Sequence, residues 1–559
     1  MVNNSFFQQS LIGKRVMILA PHQDDEVHVG GGLLSSLKDS GADMYVVYST
    51  NGDYKFKAET RIKEAYNALR VLGIPHDNII FLGYADGCID DKHIFFADTP
   101  QISPAGFMET YGTTLSDDFA MLYRGKHSKY ICKDFIQDVQ DVILSVKPDV
   151  IFCVDYDHHW DHRMLSLSFD KAMGRILNEN TCEYTPQVFK ILAYATAYEA
   201  VPDFYAANIK SVPIPKVGEV LGYNMDILEY SLYSWGSRTR FPVNIKCRGR
   251  FKAKNILFKA LCKHMSQGAA MHADYCINGD WVYWQRRTDN LAYNAKITAS
   301  SGNPTYVRDF CLYGIDTINP KQQQIEFSDW MWIPCKDDTA RTLTFEWDEP
   351  QNVDHIVIYG NINNSGIIKT LIIETDEGFS CRVNDLPING RPQYIDIDAR
   401  QSIKKLSISI VDSVGIVGLN QVEIMPAKYQ ADTIRPYIKL MVNQEFIYDY
   451  WIKNDKKTIL FDVYKYACDD GIGFRVDSSN CSLIQGNKLI IDNRDSVISL
   501  TAYSLVDHNI YDIVEIHRKN ILKFLGLKIA QKLEYHVIKF LLRRFKKYMY
   551  LRNKYIKDI

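Results

Sequence analysis

Two short stretches of the sequence are dense in histidine and carboxylate side chains. The first, residues 20–26, reads APHQDDE, and the second, residues 155–163, reads DYDHHWDHR. Two histidines and one carboxylate that leave an open position for water are typical of a catalytic zinc site. Such an ion lowers the pKa of its water to about 7. The two stretches therefore predict metal-dependent hydrolysis.

The same stretches contain groups for proton transfer and for charge stabilisation. Asp24 and Asp25 are neighbours, so one can ligate a metal while the other accepts the proton of the attacking water. The attacked carbonyl develops negative charge, which an imidazolium of His159 or His158 could stabilise. A single histidine or aspartate after a strand is usually a loop or capping residue. Two dense clusters after two strands favour a site instead.

Alternating strand and helix patterns in the first half of the chain can bring the two stretches together. Apolar runs predict strands at residues 15–20, 43–49, 78–82 and 149–154. Helical periodicity predicts helices at residues 30–38, 60–72 and 135–146. This alternation predicts a Rossmann-like α/β domain with a parallel sheet. The two stretches follow the first and fourth strands, so they should share the carboxyl edge, where such sheets bind ligands.

Several motifs resemble those of the GlcNAc-phosphatidylinositol de-N-acetylase family, also called PIG-L or LmbE-like deacetylases. PHQDDE resembles the family's (A/P)HPDDE, and HWDH at residues 159–162 resembles its HPDH. The other matches, in chain order, are TNGD (50–53), RIKE (61–64), LGI (72–74), FLGYADG (81–87) and KALCKHMSQ (259–267). The resemblance covers residues 13–288. Gln23 and Trp160 replace prolines of the family, and neither position is a ligand.

The resemblance implies a metal centre and a proton acceptor. His22, Asp25 and His162 would bind zinc, and iron(II) also suits these donors. Asp24 would be the general base. His159 would be the imidazolium that stabilises the oxyanion, although the extra histidine beside it leaves this assignment open.

Four more side chains receive roles from the resemblance or from their position. Asp161 would orient a histidine ligand, and Arg61 would contact substrate. Trp160 lies beside the expected metal and could stack on a sugar or pack in its loop. His264, in the late motif, could line the pocket and bind substrate or could pack in the interior.

Beyond residue 288 the sequence changes to short alternating strands. Residues 289–426 resemble a discoidin-like β-sandwich of the coagulation-factor 5/8 type C class, on stretches such as AKITASS, LTFEW and GLNQVEI. Such folds often bind glycans through loops at one end. Trp330, Trp332 and Arg341 are candidate contacts, with core packing as the alternative.

The remaining sequence predicts a small β-sandwich at residues 427–505 and a helical tail at 506–559. The whole chain has a net charge of −2. From Lys519 to Ile559 there are 12 Lys or Arg against two acids, so this segment carries about +10 (12 − 2). Apolar residues recur at helical spacing there. A basic amphipathic helix could lie on an anionic membrane or dock on another domain.

Composition bounds the location and the partners. Twelve cysteines occur singly, which favours a reducing compartment. The first residues lack the features of a signal peptide, and no apolar run reaches about 18 residues. We expect a cytoplasmic protein, peripheral on the inner face of the membrane, without a nucleic-acid partner.

The resemblance implies removal of an N-acetyl group from a GlcNAc-type amino sugar. The substrate would be a lipid-linked or polymeric precursor of a cell-surface glycan. One alternative is a catalytically inactive glycan-binding protein. Another is a deacylase of a small thiol or of an antibiotic intermediate. The intact set of ligand residues argues against the first alternative, and the additional β domains argue against the second.

Overall fold

The computed structural model defines which residues are described below. They are residues 10–86, 99–155, 159–179, 184–191, 193, 238–248, 251–308, 331–361, 365–388, 392–397, 402–427, 434–442, 445–446, 449–453, 458–478, 482–492, 494–519 and 521–556.

The first sheet has a parallel centre and an antiparallel edge. Its strands are β1 (Arg15–Ala20), β2 (Asp43–Thr50), β3 (Ile79–Tyr84), β4 (Val150–Val154), β5 (Gln187–Ile191), β6 (Thr239–Pro242) and β7 (Asp280–Arg286). Their order is β3-β2-β1-β4-β5-β7-β6. The first five pair in parallel, whereas β7 is antiparallel to both β5 and β6. The predicted parallel sheet is therefore mixed.

The helices of this part of the chain connect and flank these strands. Among the described residues they are α1 (Asp25–Leu37), α2 (Ala58–Leu72), α3 (Phe119–Arg124), α4 (Cys132–Val146), α5 (Trp160–Glu179), α6 (Ile256–Leu261) and α7 (Ala273–Cys276). α1 begins five residues before its predicted start. Its first turn contains Asp25 and Glu26, and carboxylates are favoured there by the helix dipole.

Two glycines allow α1 to lie close to the sheet. A Cβ at Gly30 would come 1.9 Å from Cδ1 of Ile18, and one at Gly32 would come 2.0 Å from Nε1 of Trp281. A side chain at either position would push the helix away from β1 or β7. Because Asp25 starts this helix, the close packing also sets the position of a predicted metal ligand.

The second unit contains antiparallel sheets that share strand β9. Its strands are β8 (Lys296–Ala299), β9 (Thr342–Tyr359), β10 (Gly366–Thr375), β11 (Ser380–Asn384), β12 (Pro392–Asp396), β13 (Ser402–Gly415) and β14 (Gln421–Pro426). The first part of β9 pairs with β8 and β13, and its last part pairs with β12 and β14. One apolar core lies between these strands.

The structure corrects one of the three candidate glycan contacts of this unit. Trp332 is fully buried in the core, and its Nε1 donates to the carbonyl of Ser301 at 2.7 Å. Trp332 is therefore a core residue, because a ring without exposed surface cannot stack on a glycan. The guanidinium of Arg341 donates to Ser413 Oγ at 2.8 Å. Trp330 lies outside the described residues.

The third unit consists of two facing sheets with a separate core. Its strands are β15 (Tyr437–Val442), β16 (Glu445–Phe446), β17 (Asp449–Lys453), β18 (Thr458–Tyr466), β19 (Ile472–Ser478), β20 (Leu483–Gln485), β21 (Lys488–Ile490), β22 (Val497–Ser504) and β23 (Tyr511–Lys519). One sheet has the order β16-β15-β18-β21-β20, and the other β17-β23-β22-β19. β23 was expected to belong to a helical tail, but it pairs with β22 along its length.

Buried contacts join the third unit to the first unit, which is the part of the chain that contains β1–β7 and α1–α7. Tyr437 and Tyr466 belong to the apolar core of the first unit. The hydroxyl of Tyr437 donates to the carbonyl of Arg240 at 2.9 Å, and Gln187 Nε2 donates to the hydroxyl of Tyr466 at 3.1 Å. These contacts hold the third unit against the edge of the first sheet that contains β5 and β6.

The last helix, α8 (Ile521–Ile556), starts 15 residues after the predicted boundary of the tail. Glu534 accepts the backbone N–H groups of Lys252 and Ala253 at 3.1 and 3.2 Å. These bonds attach α8 to the first unit. None of the helices that the structure describes combines the length and apolar content needed to cross a bilayer.

A buried carboxyl group should make the stability of the chain depend on pH. Burial raises the pKa of Glu423, in β14, from 4.5 to about 7, although Arg286 and Arg287 oppose the shift. The folded state therefore binds more protons than the unfolded state between these values, and stability should fall as pH rises from about 4.5 to about 7. Above pH 7, Glu423→Gln should stabilise the fold by up to about 3 kcal/mol.

Unfolding midpoints of both proteins between pH 5 and pH 8 measure this effect. Glu374→Gln, on the exposed side of β10, is the matched control and should keep the parental slope. Parallel pH profiles for the parent and Glu423→Gln would contradict the prediction.

Candidate active site

The topology of the first sheet brings the two histidine-rich stretches together. β1 and β4 are adjacent and parallel, so the loops after them leave the same edge of the sheet. The chain continues from β1 to β2 on one side and from β4 to β5 on the other side of this pair. Ligands of such sheets bind in the crevice that forms between the two diverging connections. His22 and Asp24 lie between β1 and α1, whose first residue is Asp25, and His159 directly precedes α5, whose first turn contains Asp161 and His162.

Two of the predicted ligands, His22 and His162, both face the third, Asp25. Nδ1 of His22 lies 2.8 Å from Oδ2 of Asp25, and Nε2 of His162 lies 3.2 Å from the same oxygen. A tetrahedral zinc ion with bonds of about 2.0–2.2 Å separates its ligand atoms by about 3.4 Å. Each nitrogen is thus closer to this oxygen than two ligands of one zinc ion would be, by about 0.6 Å for His22 and about 0.2 Å for His162. The nitrogen, nitrogen and oxygen donors suit zinc or iron(II).

Among the described residues, two groups of side chains have ligand atoms close enough together to hold one ion, and both contain His22 without Asp25. His22, His159 and His162 each present an atom within 4.8 Å of the others. His22, Asp86 and Asp161 do the same. All the combinations share His22, which is therefore the centre of the candidate site.

The charges around His22 favour a cation at this place. Nε2 of His22 donates to both Asp86 and Asp161 at 3.1 Å, while Nδ1 faces Asp25. Although burial lowers it, the pKa of His22 is raised well above 6.5 by these three carboxylates. Burial likewise opposes ionisation of Asp25, but His162 and His22 hold its pKa well below 3.8. Three carboxylates around one imidazole leave negative charge that a divalent ion can balance.

Asp161 and Asp86 orient His22 from the side away from Asp25. Asp161 was predicted to orient a histidine, and the structure identifies His22 as that residue. Asp86 was missed, although it belongs to the FLGYADG stretch that matched a family motif. Oδ1 of Asp53 accepts the backbone N–H of Asp86 at 2.6 Å, which connects the TNGD turn to the site. Such partners fix the tautomer and direction of a metal-binding imidazole.

Asp24 is positioned for proton transfer beside the ligands. Its backbone has a φ of 130°, a strained value for a residue with a side chain, and its N–H donates to Glu26 at 2.8 Å. The side chain remains 23% exposed to the cleft. Burial raises its pKa to about 6, Arg61 opposes this and Asp25 adds to it. The carboxylate is therefore poised to accept a proton near neutral pH.

Arg61 supports the loop that carries Asp24. It is 4% exposed, and Nη2 donates to the carbonyl of Gln23 and, at 3.4 Å, to Oδ1 of Asp24. Gly52 allows this arrangement, because a Cβ there would come 2.3 Å from Oε1 of Gln23 and 3.0 Å from Cζ of Arg61. Gln23, which replaces a family proline, donates from Nε2 to the carbonyl of Thr50 at 2.6 Å. These contacts give Arg61 a supporting position behind Asp24, and its substrate contact stays a prediction.

Arg61→Met tests whether Arg61 supports Asp24 or contacts the substrate. Loss of the contacts with Gln23 and Asp24 should lower kcat by about 10- to 100-fold through misplacement of Asp24, with little change in KM. Steady-state kinetics on an acetylated amino sugar separate the two parameters. A raised KM with unchanged kcat would identify Arg61 as a substrate contact. Arg70→Met, on the exposed surface of α2, is the control.

His264 also lies behind the site and not in the cleft. It is fully buried, and Nε2 bonds Oε1 of Glu26 at 2.7 Å. The other oxygen of Glu26 accepts the N–H of Asp24, so His264 supports the strained loop indirectly. Burial opposes protonation of His264, but Glu26 raises its pKa. The predicted substrate contact is therefore corrected, because His264 has no exposed surface.

The late motif is connected to α2 through a second pair of bonds. Glu64, from the RIKE stretch, accepts the backbone N–H of Ser266 at 2.8 Å and its hydroxyl at 2.7 Å. Two motifs that are about 200 residues apart in sequence are thus parts of one support for the site.

His159 and Trp160 lie at the open side of the site. The ring of His159 is 4.7 Å from that of His22 and 4.9 Å from that of His162, and its side chain is 39% exposed. Burial and the nearby histidines lower its pKa to about 4. The expected imidazolium at His159 stays a prediction, because His22 and His162 would be neutral, and would not lower this pKa by their charge, when they bind a metal. The ring of Trp160 is contacted by the guanidinium of Arg163 at 5.3 Å, and stacking on a sugar stays a prediction. His158 lies outside the described residues.

The comparison with protein families agrees with the geometry of this site. Residues 17–173 match the family model described as PIG-L, GlcNAc-PI de-N-acetylase. The N-terminal unit contains a PIG-L family deacetylase domain. The matched range of this PIG-L domain includes the stretches that carry His22, Asp24, Asp25, His159 and His162. Residues 290–425 match the model of a domain of unknown function, DUF7402.

Solved structures resemble separate parts of the chain. The N,N'-diacetylchitobiose deacetylase from Pyrococcus horikoshii is 18% identical over 32% of this chain and 60% of its own, with a TM-score of 0.22. The zinc-inhibited form of the teicoplanin deacetylase Orf2 is 15% identical over 49% and 97%, with a TM-score of 0.25. The family 32 CBM from C. perfringens NanJ is 16% identical over 24% and 94%, with a TM-score of 0.19. No curated protein sequence matches the chain.

Proposed function

We propose that this chain is a zinc-dependent hydrolase that removes the N-acetyl group from a GlcNAc-type amino sugar. The observation that supports this most directly is that His22 and His162 both face Asp25, beside the partly exposed carboxylate of Asp24. The presence of a PIG-L domain supports the reaction class. We further propose that the sugar belongs to a lipid-linked or polymeric precursor of a cell-surface glycan.

His22, Asp25 and His162 would hold the ion, with iron(II) as the alternative to zinc. Zinc at this position supplies a Lewis acid that polarises the acetamide carbonyl and acidifies the attacking water. Asp161 and Asp86 keep Nδ1 of His22 directed at Asp25, because both accept a hydrogen bond from Nε2. The protein thus orients its ligands before a substrate arrives.

The oxygen of the water molecule forms a bond to the acetamide carbon, and Asp24 accepts a proton from that water. His159 stabilises the oxyanion that forms on the carbonyl oxygen. Its Nδ1 accepts the backbone N–H of Asp161 at 3.3 Å, so a neutral ring carries its proton on Nε2 and can donate it as a hydrogen bond. The bond between carbon and nitrogen then breaks, and Asp24 returns its proton to the nitrogen. The products are acetate and the free amino sugar.

The second unit is proposed to be a discoidin-like module that positions the PIG-L domain on a glycan. Its antiparallel sheets and shared strand β9 support a sandwich. The correction of Trp332 removes one candidate contact, and glycan binding by Trp330 and Arg341 stays a prediction. The cytoplasmic location stays a prediction.

A panel of acetylated compounds tests the proposed reaction. The purified full chain is loaded with zinc, and acetate release is measured with GlcNAc oligosaccharides, lipid-linked GlcNAc, acetylated polysaccharide and N-acetyl conjugates of a small thiol. Acetate from a GlcNAc-type compound, lost after chelation and regained with zinc, supports the proposal. Turnover of the thiol conjugate alone would replace the sugar with a small-molecule substrate. Absence of turnover throughout, with zinc bound, would favour the inactive glycan-binding alternative.

A further inference from the structure

Helix α8 is attached to the PIG-L domain along one side. Glu534 bonds the backbone of residues 252–253, and Gln531 is 1% exposed. Ile538 and Leu542 pack against the apolar core of the PIG-L domain. These four residues recur every three or four positions, so they form one face of the helix. The orientation of α8 on the domain is therefore defined.

The opposite side of α8 exposes large apolar residues. Ile529 and Leu533 are 69% and 68% exposed, and Phe540 is 58% exposed. Each lies two positions from a docked residue, which corresponds to a rotation of about 200° around the helix axis. Leu525 and Val537 widen the same exposed stripe. From residue 525 to 540 the stripe is about 22 Å long, and a soluble surface rarely leaves such a stripe uncovered.

Positive charges border and continue this apolar stripe. Lys532 and Lys539 are exposed along one flank. Three more cations, Arg543, Arg544 and Lys547, are exposed on the helix beyond the end of the stripe. The segment from Lys519 to Ile559 carries about +10 (12 − 2), against about −12 for the rest of the chain.

We propose that the exposed face of α8 docks on an anionic lipid surface. Aliphatic and aromatic side chains can enter the interface between headgroups and acyl chains, while the flanking cations contact anionic headgroups. A second copy of the helix would place like charges against each other, and a nucleic acid offers no apolar surface to the stripe. An anionic lipid surface complements both the apolar stripe and its positive border. Since α8 is bonded to the PIG-L domain, docking would hold the active site at a defined orientation to the membrane. The inference does not depend on the proposed reaction.

Vesicle binding by the full chain tests this inference. Co-sedimentation is measured with vesicles of phosphatidylcholine alone and with vesicles that contain phosphatidylglycerol. The protein should bind only the anionic vesicles. Binding should weaken when NaCl rises from about 0.1 M to about 1 M, because the Debye length falls from about 10 Å to about 3 Å. The variant Ile529→Gln, Leu533→Gln, Phe540→Gln should lower the partition coefficient more than about 100-fold.

Matched variants separate docking from general effects. Val414→Gln and Ile416→Gln remove exposed apolar side chains from the second unit and should leave vesicle binding unchanged. Circular dichroism and gel filtration check that the α8 variant is folded. Equal binding to both vesicle types, or no binding to either, would overturn the proposal. A parental dimer that the α8 variant converts to a monomer, without vesicle binding, would assign the face to a second copy.

Discussion

Asp24→Asn is expected to lower kcat for acetate release by about 10²- to 10⁴-fold, the usual contribution of general acid–base catalysis. The substitution keeps the shape of the side chain but removes the group that accepts a proton from water. Asp24 contributes no atom to the contacts of His22 and His162 with Asp25, so bound zinc should remain at the parental level. Acetate release and metal analysis of the same preparation measure both quantities.

Asp77→Asn is the matched control, because its side chain is 99% exposed and lies on the turn before β3. It should keep parental turnover. Full activity of Asp24→Asn would refute the assignment of the general base. Loss of zinc together with activity would indicate that Asp24 is a ligand, and Asp25 would then be the better candidate for the base.

His162→Ala is expected to remove both bound zinc and measurable acetate release. His162 is fully buried, and its Nε2 lies 3.2 Å from the Asp25 oxygen that also faces His22. Loss of a partner that only orients a ligand typically lowers metal affinity or activity by about 10- to 100-fold, so loss of a ligand should exceed about 100-fold. Competition with a chelator of known affinity measures the zinc affinity of each variant.

Asp161→Asn is the comparison for the loss of zinc affinity in His162→Ala. It weakens the orientation of His22 without removing a ligand atom. Its zinc affinity should fall by only about 10- to 100-fold. His76→Ala, at an exposed position, should have no effect. Unfolding midpoints measured without metal show whether His162→Ala is folded. Parental zinc affinity in folded His162→Ala would refute the proposed metal centre.

Local sequence patterns were sufficient to predict where the central strands and helices of the first unit lie. β1 lies at the predicted residues, and α2 and α4 begin two or three residues before their predicted starts. Burial on both faces of a parallel strand produces a continuous apolar run, which can be read without knowledge of the partner strands. The antiparallel edge formed by β6 and β7 was not predicted, because pairing between distant segments leaves no local pattern.

The supporting residues around the site illustrate the same limit. Glu26 and Asp86 lie in stretches that matched the family, yet only the structure shows what they bind. Glu26 connects His264 to the backbone of Asp24, and Asp86 bonds His22 from 64 positions away. The type of a residue says that it can form a hydrogen bond, but the choice of partner depends on the packing of several helices and strands.

The sequence by itself determined which residue types stand after the first and fourth strands, and parallel pairing is enough to predict that these residues meet. Their chemistry therefore followed from composition and order along the chain. Only the tertiary structure decided that Arg61 and His264 support the loop of Asp24 from behind, that Trp332 is a core residue and that β23 is a strand. Burial and long-range hydrogen bonds set these outcomes, and both depend on residues that are far apart in sequence.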